Sequence, residues 1–268
     1  MENRQFISHN IAVKFKNFDR KMRNIWYEYC YLNDFISNSP HPSIKKIKIT
    51  GETGSYIDNK RLGGLKTHFL KTSNAQSHFI DTILLFEQFI YYMSKENFTA
   101  FPEKLGREPL SGQKLTQLIY KKNNIEDIIS SIIEEKNRKI FYGNPVDIFK
   151  KDPCKFEYKD FFINNYSKEL GYFSQIIATR NIIIHNNSKI DSKYLKETKN
   201  NTLKEKQHID ISSEYLRETI LLLIGLVSEL TKNYLETNFN NSYHSGLVER
   251  RVKNFRKRSS TNYFKCFE

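Results

Sequence analysis

The sequence predicts an all-α protein, an antiparallel bundle of helices with an extension at each end. Three observations carry that expectation. Apolar residues recur every three or four positions through several long segments between residues 73 and 234, a spacing that stacks them on one face of a helix. The period-two alternation of a half-buried strand is confined to one short, weak stretch. The chain also shows no internal repeat, so the apolar stripes must bury against one another around a shared core.

The punctuation divides the chain into three parts. Residues 1–70 form a mixed N-terminal extension. Within Lys21 to Phe35, the residues Met22, Ile25, Trp26, Tyr29, Cys30 and Leu32 lie at helical spacing. Ile44 to Thr50 alternates like a short strand, and Gly51 to Leu65, with four glycines, reads as a loop. Residues 71–236 carry the bundle. Ser73 followed by Gln76 fits a capping box, opening a helix with Phe79, Ile80, Ile83, Leu84, Phe86, Ile90 and Met93 on one stripe. A second helix is expected from Ser111 through Leu115, Leu118 and Ile119. A third carries Ile125, Ile128, Ile129, Ile132 and Ile133 and stops before Gly143-Asn144-Pro145. A fourth begins near Ser167 and runs to Arg180 and His185; a fifth follows Ser212 with Leu216, Ile220, Leu223, Ile224, Val227 and Leu230. Residues 237–268 turn polar and end as a basic tail.

Composition narrows the class. With 43 Lys and Arg against 30 Asp and Glu, the net charge of the 268-residue chain is +13, a balance that favours an anionic partner, nucleic acid first. Cys30, Cys154 and Cys266 are odd in number and widely spaced, which fits neither a disulfide framework nor a CxxC site and reads as reduced and cytoplasmic. The N-terminus lacks the basic and apolar regions of a signal peptide. The longest apolar run, Ile220 to Val227, is too short for a bilayer, which needs roughly 20 residues, so no membrane role is expected.

The most informative segment is Ala178 to Asn187, where Arg180, Asn181 and His185 stand in an otherwise apolar stretch. At about 100° per residue, Asn181 and His185 are about 40° apart on one helical face, whereas Arg180 is about 140° from His185. The arginine therefore has to reach around, or the helix has to end near His185. Asn186-Asn187-Ser188 favours such an end, since these residues suit caps and turns. A histidine near neutral pH takes or gives a proton, and an arginine holds phosphate oxygens and stabilises charge developing on phosphorus. If RNA is the substrate, its own 2′-hydroxyl is the nucleophile and no metal or cofactor is needed. One histidine cannot readily act as base and acid in one step, so a symmetric dimer would supply a second copy to one cleft. An arginine and a histidine at a helix end also serve simply to cap and solubilise it. The bare spacing recurs at Arg4 to His9 and at Arg61 to His68, without the apolar helical setting. Glu87 lies inside the apolar stripe of its helix, either orienting Arg180 across the bundle or sitting in water at the rim.

This segment resembles the HEPN family (higher eukaryotes and prokaryotes nucleotide-binding), whose signature is Arg, a polar residue, a short apolar run and His. Lys139 to Phe149 and the long helix His78 to Met93 are also similar to bacterial members that read Arg-Asn-apolar-His-Asn-Asn. The resemblance covers about Ser73 to Tyr234. It implies an all-helical dimeric bundle and a metal-independent endoribonuclease leaving a 2′,3′-cyclic phosphate. Arg180 and His185 match the catalytic pair and Asn181 the polar position. It further implies a toxin or abortive-infection effector acting against phage on tRNA or mRNA, with an antitoxin or regulatory partner. Asn187 stands where some members carry a tyrosine, so the modification-controlled toxins of that subtype are a poor analogy.

Two other readings belong beside this one. The first is a non-catalytic RNA- or partner-binding bundle, such as an antitoxin or sensor subunit. The second is a metal-dependent nuclease using Asp147, Glu157 and Lys159, which requires carboxylates on adjacent strands to hold magnesium. Gly106 to Lys114 lacks the Gly-Lys-Ser/Thr ending of a phosphate-binding loop. In the tail, Arg250, Arg251, Lys253, Arg256, Lys257 and Arg258 interleave with Phe255 and precede Tyr263, Phe264 and Phe267. Cations and rings in that mixture suit single-stranded RNA; a solvated tail, or a helix docked on the bundle, is the alternative.

Overall fold

Ile7, Ile11, Phe15, Phe18, Met22, Ile25 and Tyr29 follow one another at intervals of three and four, and all are buried. They define the inner face of α1, a single helix from Glu2 to Asn38. It extends far beyond the expected Lys21 to Phe35, because Ile7, Ile11, Phe15 and Phe18 continue the same stripe between polar residues. The computed structural model describes residues 2–39, 47–48, 56–57, 59–106, 116, 120, 124–198, 203–239 and 245–267.

The fold is all-α. Its one sheet among the described residues is an antiparallel pair of two-residue strands, β1 (Ile47–Lys48) with β2 (Tyr56–Ile57), within the stretch expected to alternate and the loop after it. Where the glycines suggested continuous loop, Asn59–His68 forms helix α2. A π-helical turn, Phe69–Ser73, joins it to α3, Asn74–Ala100. Ser73 is itself helical (φ −65°, ψ −39°) and makes no cap bond. The expected capping box is therefore absent, because the chain enters α3 already helical and leaves no orphan N–H for Ser73 to satisfy. Gln76 instead donates to Ser188 Oγ (3.1 Å) and the Ile209 carbonyl (3.2 Å).

The helix expected from Ser111 to Ile119 lies outside the described residues except at 116. Helix α4, Ile125–Phe141, starts where Asn124 Oδ1 accepts the Asp127 N–H at 2.8 Å. Its acidic first turn and basic last turn complement the helix dipole. After the single turn α5 (Asp147–Lys150), an irregular segment leads to α6, Phe161–His185. This helix is kinked at Tyr166 (φ −136°, ψ 31°), next to the Ser167 start that the sequence suggests. The short α7, Ser192–Thr198, precedes α8, Ser213–Phe239, whose first turn is capped by Ser212 Oγ accepting the Tyr215 N–H at 3.0 Å.

The C-terminal segment is a docked structure rather than a free tail. Ser245 begins α9, Gly246–Ser260, whose Val248, Val252 and Phe255 are buried together with Phe264 and Phe267 beyond it. Residues of α1, α3, α6, α8 and α9 belong to one apolar cluster, so all three sequence segments share a core. No helix among the described residues is long and apolar enough to cross a membrane.

Two features bind α9 to α8. A Cβ on Gly225 would lie 2.0 Å from Phe255 Cδ2, so only glycine lets the ring rest on the α8 backbone. Nearby, the fully buried Glu229 carboxylate takes a bidentate bond from Arg256 (2.7 and 3.0 Å) and a hydroxyl bond from Tyr166. Gly225→Ala should cost about 2 kcal/mol by overpacking, read as a lower urea midpoint with accelerated amide exchange in α9. Glu229→Ala should cost about 2 kcal/mol, chiefly by leaving the buried Tyr166 hydroxyl unpaired, since the half-exposed Arg256 guanidinium regains water, measured by the same denaturation.

Candidate active site

Helix α6 ends at His185. The Asn186 N–H bonds the Ile182 carbonyl (3.0 Å) and the Ser188 N–H reaches the same oxygen (3.1 Å). Asn187 (φ 49°) and Ser188 (φ 61°) occupy the left-handed region, which turns the chain sharply away from the helix axis. The turn is clamped from outside: Ser188 Oγ accepts from Gln76 of α3, and the Ser188 carbonyl accepts the Ile209 N–H at 2.9 Å. The histidine of the motif thus stands at a fixed helix end.

The other two motif residues lie one turn back. Arg180 Nη1 donates to Asn181 Oδ1 at 3.2 Å, and Nη2 faces Glu87 Oε2 of α3 at 3.8 Å. Both partners of this ion pair are mostly shielded from water, with side-chain exposures of 29% and 21%. Burial holds the Glu87 carboxyl above its ordinary 4.5, and the nearby guanidinium brings it only partly back. Of the two readings of Glu87, the geometry matches the one in which it faces Arg180 across the bundle.

Arg180, Asn181, His185 and Glu87 line one open groove of about 900 Å³, whose far wall is Tyr142 to Val146. Asn181 and His185 also border a smaller pocket of about 340 Å³ against α7. Lys193 and Glu197 of α7, 3.8 Å apart, face both spaces. Sequence reading gave these two no role. Asp191 caps α7 by accepting the Tyr194 N–H at 2.8 Å, and a small apolar cluster of Ala178, Ile182, Ile190 and Tyr194 binds it to the end of α6. An Asp-x-x-Tyr start followed by a Lys–Glu pair at i, i+4 was the available signal. Below Arg180 the Thr179 hydroxyl lies 3.3 Å from that of Tyr194 and 3.2 Å from that of Tyr215.

The six C-terminal cations divide. Arg251 is bonded to Asp19 of α1, with Nη2 to Oδ2 at 2.8 Å, and Arg256 holds Glu229. The Arg258 guanidinium lies over the Tyr263 ring, 5.7 Å from its centroid. Arg250, Lys253 and Lys257 are exposed on α9. Phe255, Phe264 and Phe267, which in the sequence suit either base stacking or docking on the bundle, are core residues. Their apolar area pulls the segment onto α8, a force that a count of its charges does not register.

The metal-nuclease arrangement is not formed. Cys154, Phe156 and Tyr158 point inward, while Lys155, Glu157 and Lys159 take positive φ between them, so the segment is no strand. Glu157 pairs with Lys104 at 3.1 Å and Asp147 with Lys151 at 2.8 Å. Among the described residues no three His, Cys, Asp or Glu side chains converge as a metal set. All three cysteines are free thiols, and burial pushes that of Cys154 up to about 12.

Comparison of the chain with protein-family models, with curated proteins and with solved structures returned no match in any of the three.

A carboxyl whose pKa is raised by folding binds its proton more tightly in the folded chain. Stability is therefore lost as pH climbs from the unfolded value through the folded one. Glu87→Gln carries no such proton. Relative to wild type, its stability in urea titrations should improve as pH goes from about 4 to about 7, and a constant difference across that range would contradict the raised pKa.

Proposed function

We propose that this protein is a metal-independent endoribonuclease of the HEPN type, acting as a toxin or anti-phage effector. The observation that carries the reading is the meeting of Arg180, Asn181 and His185 in one open groove at a helix end, with Glu87 behind the arginine. The net charge of +13 suits a polyanionic substrate.

In this mechanism the groove admits a flexible stretch of RNA, and Arg180 binds the non-bridging oxygens of the scissile phosphate. Its second partner, Asn181, fixes the guanidinium plane, while Glu87 keeps the head from swinging into water. His185 removes the 2′-hydroxyl proton; the 2′-oxygen attacks phosphorus and the bond to the 5′-oxygen breaks. The products are a 2′,3′-cyclic phosphate and a 5′-hydroxyl that receives a proton. Among the described residues, the groove is lined by a single imidazole, His185. A second copy of the chain across the groove would supply the acid for the departing oxygen, which is the reason to expect a working homodimer.

Purified wild type, Arg180→Ala and His185→Ala, incubated with total tRNA or a structured messenger in excess EDTA, test the proposal. Wild type should cut, and each variant should be slower by at least about 10²-fold, with His185→Ala keeping its affinity for RNA and Arg180→Ala losing one phosphate contact. Chelator-sensitive cleavage, or cutting by His185→Ala at the wild-type rate, would overturn it. RNA binding without cleavage by wild type would favour the non-catalytic binding bundle.

A further inference from the structure

The outer face of α1 carries a feature that neither the core nor the α6 groove uses. Tyr27, Tyr31 and Phe35 stand at successive intervals of four and are 57%, 67% and 56% exposed. The Tyr31 and Phe35 rings are nearly parallel, with centroids 6.0 Å apart and 13° between planes. Lys16, Arg20 and Arg23, also exposed, precede them. At about 100° per residue all six fall within an arc of about 120°, in a stripe about 28 Å long.

The charges along this stripe lean one way. Arg23 pairs with Asp19 at 3.1 Å, but Arg251 of α9 holds the same carboxylate, so two guanidiniums share one anion. That contact also brings the basic helix α9 alongside the cationic half of the stripe. Among the described residues, Arg20 donates only to the neutral Asn17. Asp34, which accepts from Asn38 at 2.9 Å, lies within the arc, and the exposed Glu28 lies about 20° beyond its edge.

We propose that this face of α1 binds single-stranded nucleic acid, with bases stacked on Tyr27, Tyr31 and Phe35 and phosphates held by Lys16, Arg20 and Arg23. Three large rings presented to water in a row leave apolar area without a partner among the described residues. Parallel rings offer each base a flat π-face, a mode of binding that tolerates any sequence. Bases paired in a duplex hide those faces, so the site selects single strands. A second copy docking by this same stripe is the poorer occupant, since it would set Lys16, Arg20 and Arg23 against their own counterparts.

The proposal does not depend on the α6 groove, and the test keeps the two apart. A fluorescein-labelled oligodeoxythymidylate lacks the 2′-hydroxyl that the groove would use, so it can bind but cannot be cut. Anisotropy titration of the full chain should show binding that weakens with salt, with a log–log slope of about −2 for three phosphate contacts. Replacing Tyr27, Tyr31 and Phe35 together by Ala should reduce affinity on the order of 10²-fold, with the helical circular dichroism and the affinity for a duplex of equal length unchanged. In wild type, photocrosslinking to a bromodeoxyuridine strand should map to α1. Absence of oligodeoxythymidylate binding, an unaffected triple variant, an equal loss for duplex, or a crosslink elsewhere would overturn the proposal. So would a change in oligomeric state of the variant by sedimentation, which would make the stripe a contact between copies.

Discussion

A helix that is apolar on every side has to be covered on every side, and α8 is such a helix. Between Leu216 and Leu235 almost every residue is buried, so α8 is the pillar against which the other long helices lie. Two of its buried residues are carboxylates. Glu229 is neutralised by Arg256 and hydrogen-bonded by Tyr166, and Glu218 accepts the Cys266 N–H at 2.9 Å. Charges placed at such depth demand partners, and both find them in the C-terminal segment. Burying α8 thus recruits the last part of the chain, basic residues included, into the fold.

The same logic links the two ends. Asp19 sits buried on α1, and its partners are Arg23 in the next turn and Arg251 from the far end of the sequence. Closing the N- and C-terminal helices over α3 and α8 leaves α6 packed by its apolar face with its last turn at the surface. There Arg180 meets Glu87 of α3, while the left-handed turn at Asn187 and Ser188 sends the chain off toward α7. The groove follows from these constraints: it opens where α6 ends and where α3, the segment after α4 and α7 cannot all close on it.

Charge has two separate uses in the C-terminal helix. Arg251 and Arg256 act inward, as clamps on buried acids, and Arg250, Lys253 and Lys257 remain outward. A positive surface therefore survives even though part of the basic count is structural. Electrostatic attraction of a polyanion needs only the outward set, and the Arg251–Asp19 contact holds α9 against α1.

By itself the sequence determined the elements whose causes are local. Periodicity marked the stripes of α3, α4, α6 and α8, and Asn186-Asn187-Ser188 marked the end of α6, because helical spacing and turn preference act within a few residues. Glu87 stood out as an acid inside an apolar stripe, and Arg180 and His185 as polar groups in an apolar run. Tertiary structure decided what depends on residues distant along the chain. The union of α2 with α3 through a π-turn, the coverage of α8 by Phe255, Phe264 and Phe267, and the pairing of Asp19 with Arg251 have no local signature. A basic stretch reads the same whether its arginines face water or buried acids; only packing supplies the partner and the low dielectric that make the difference.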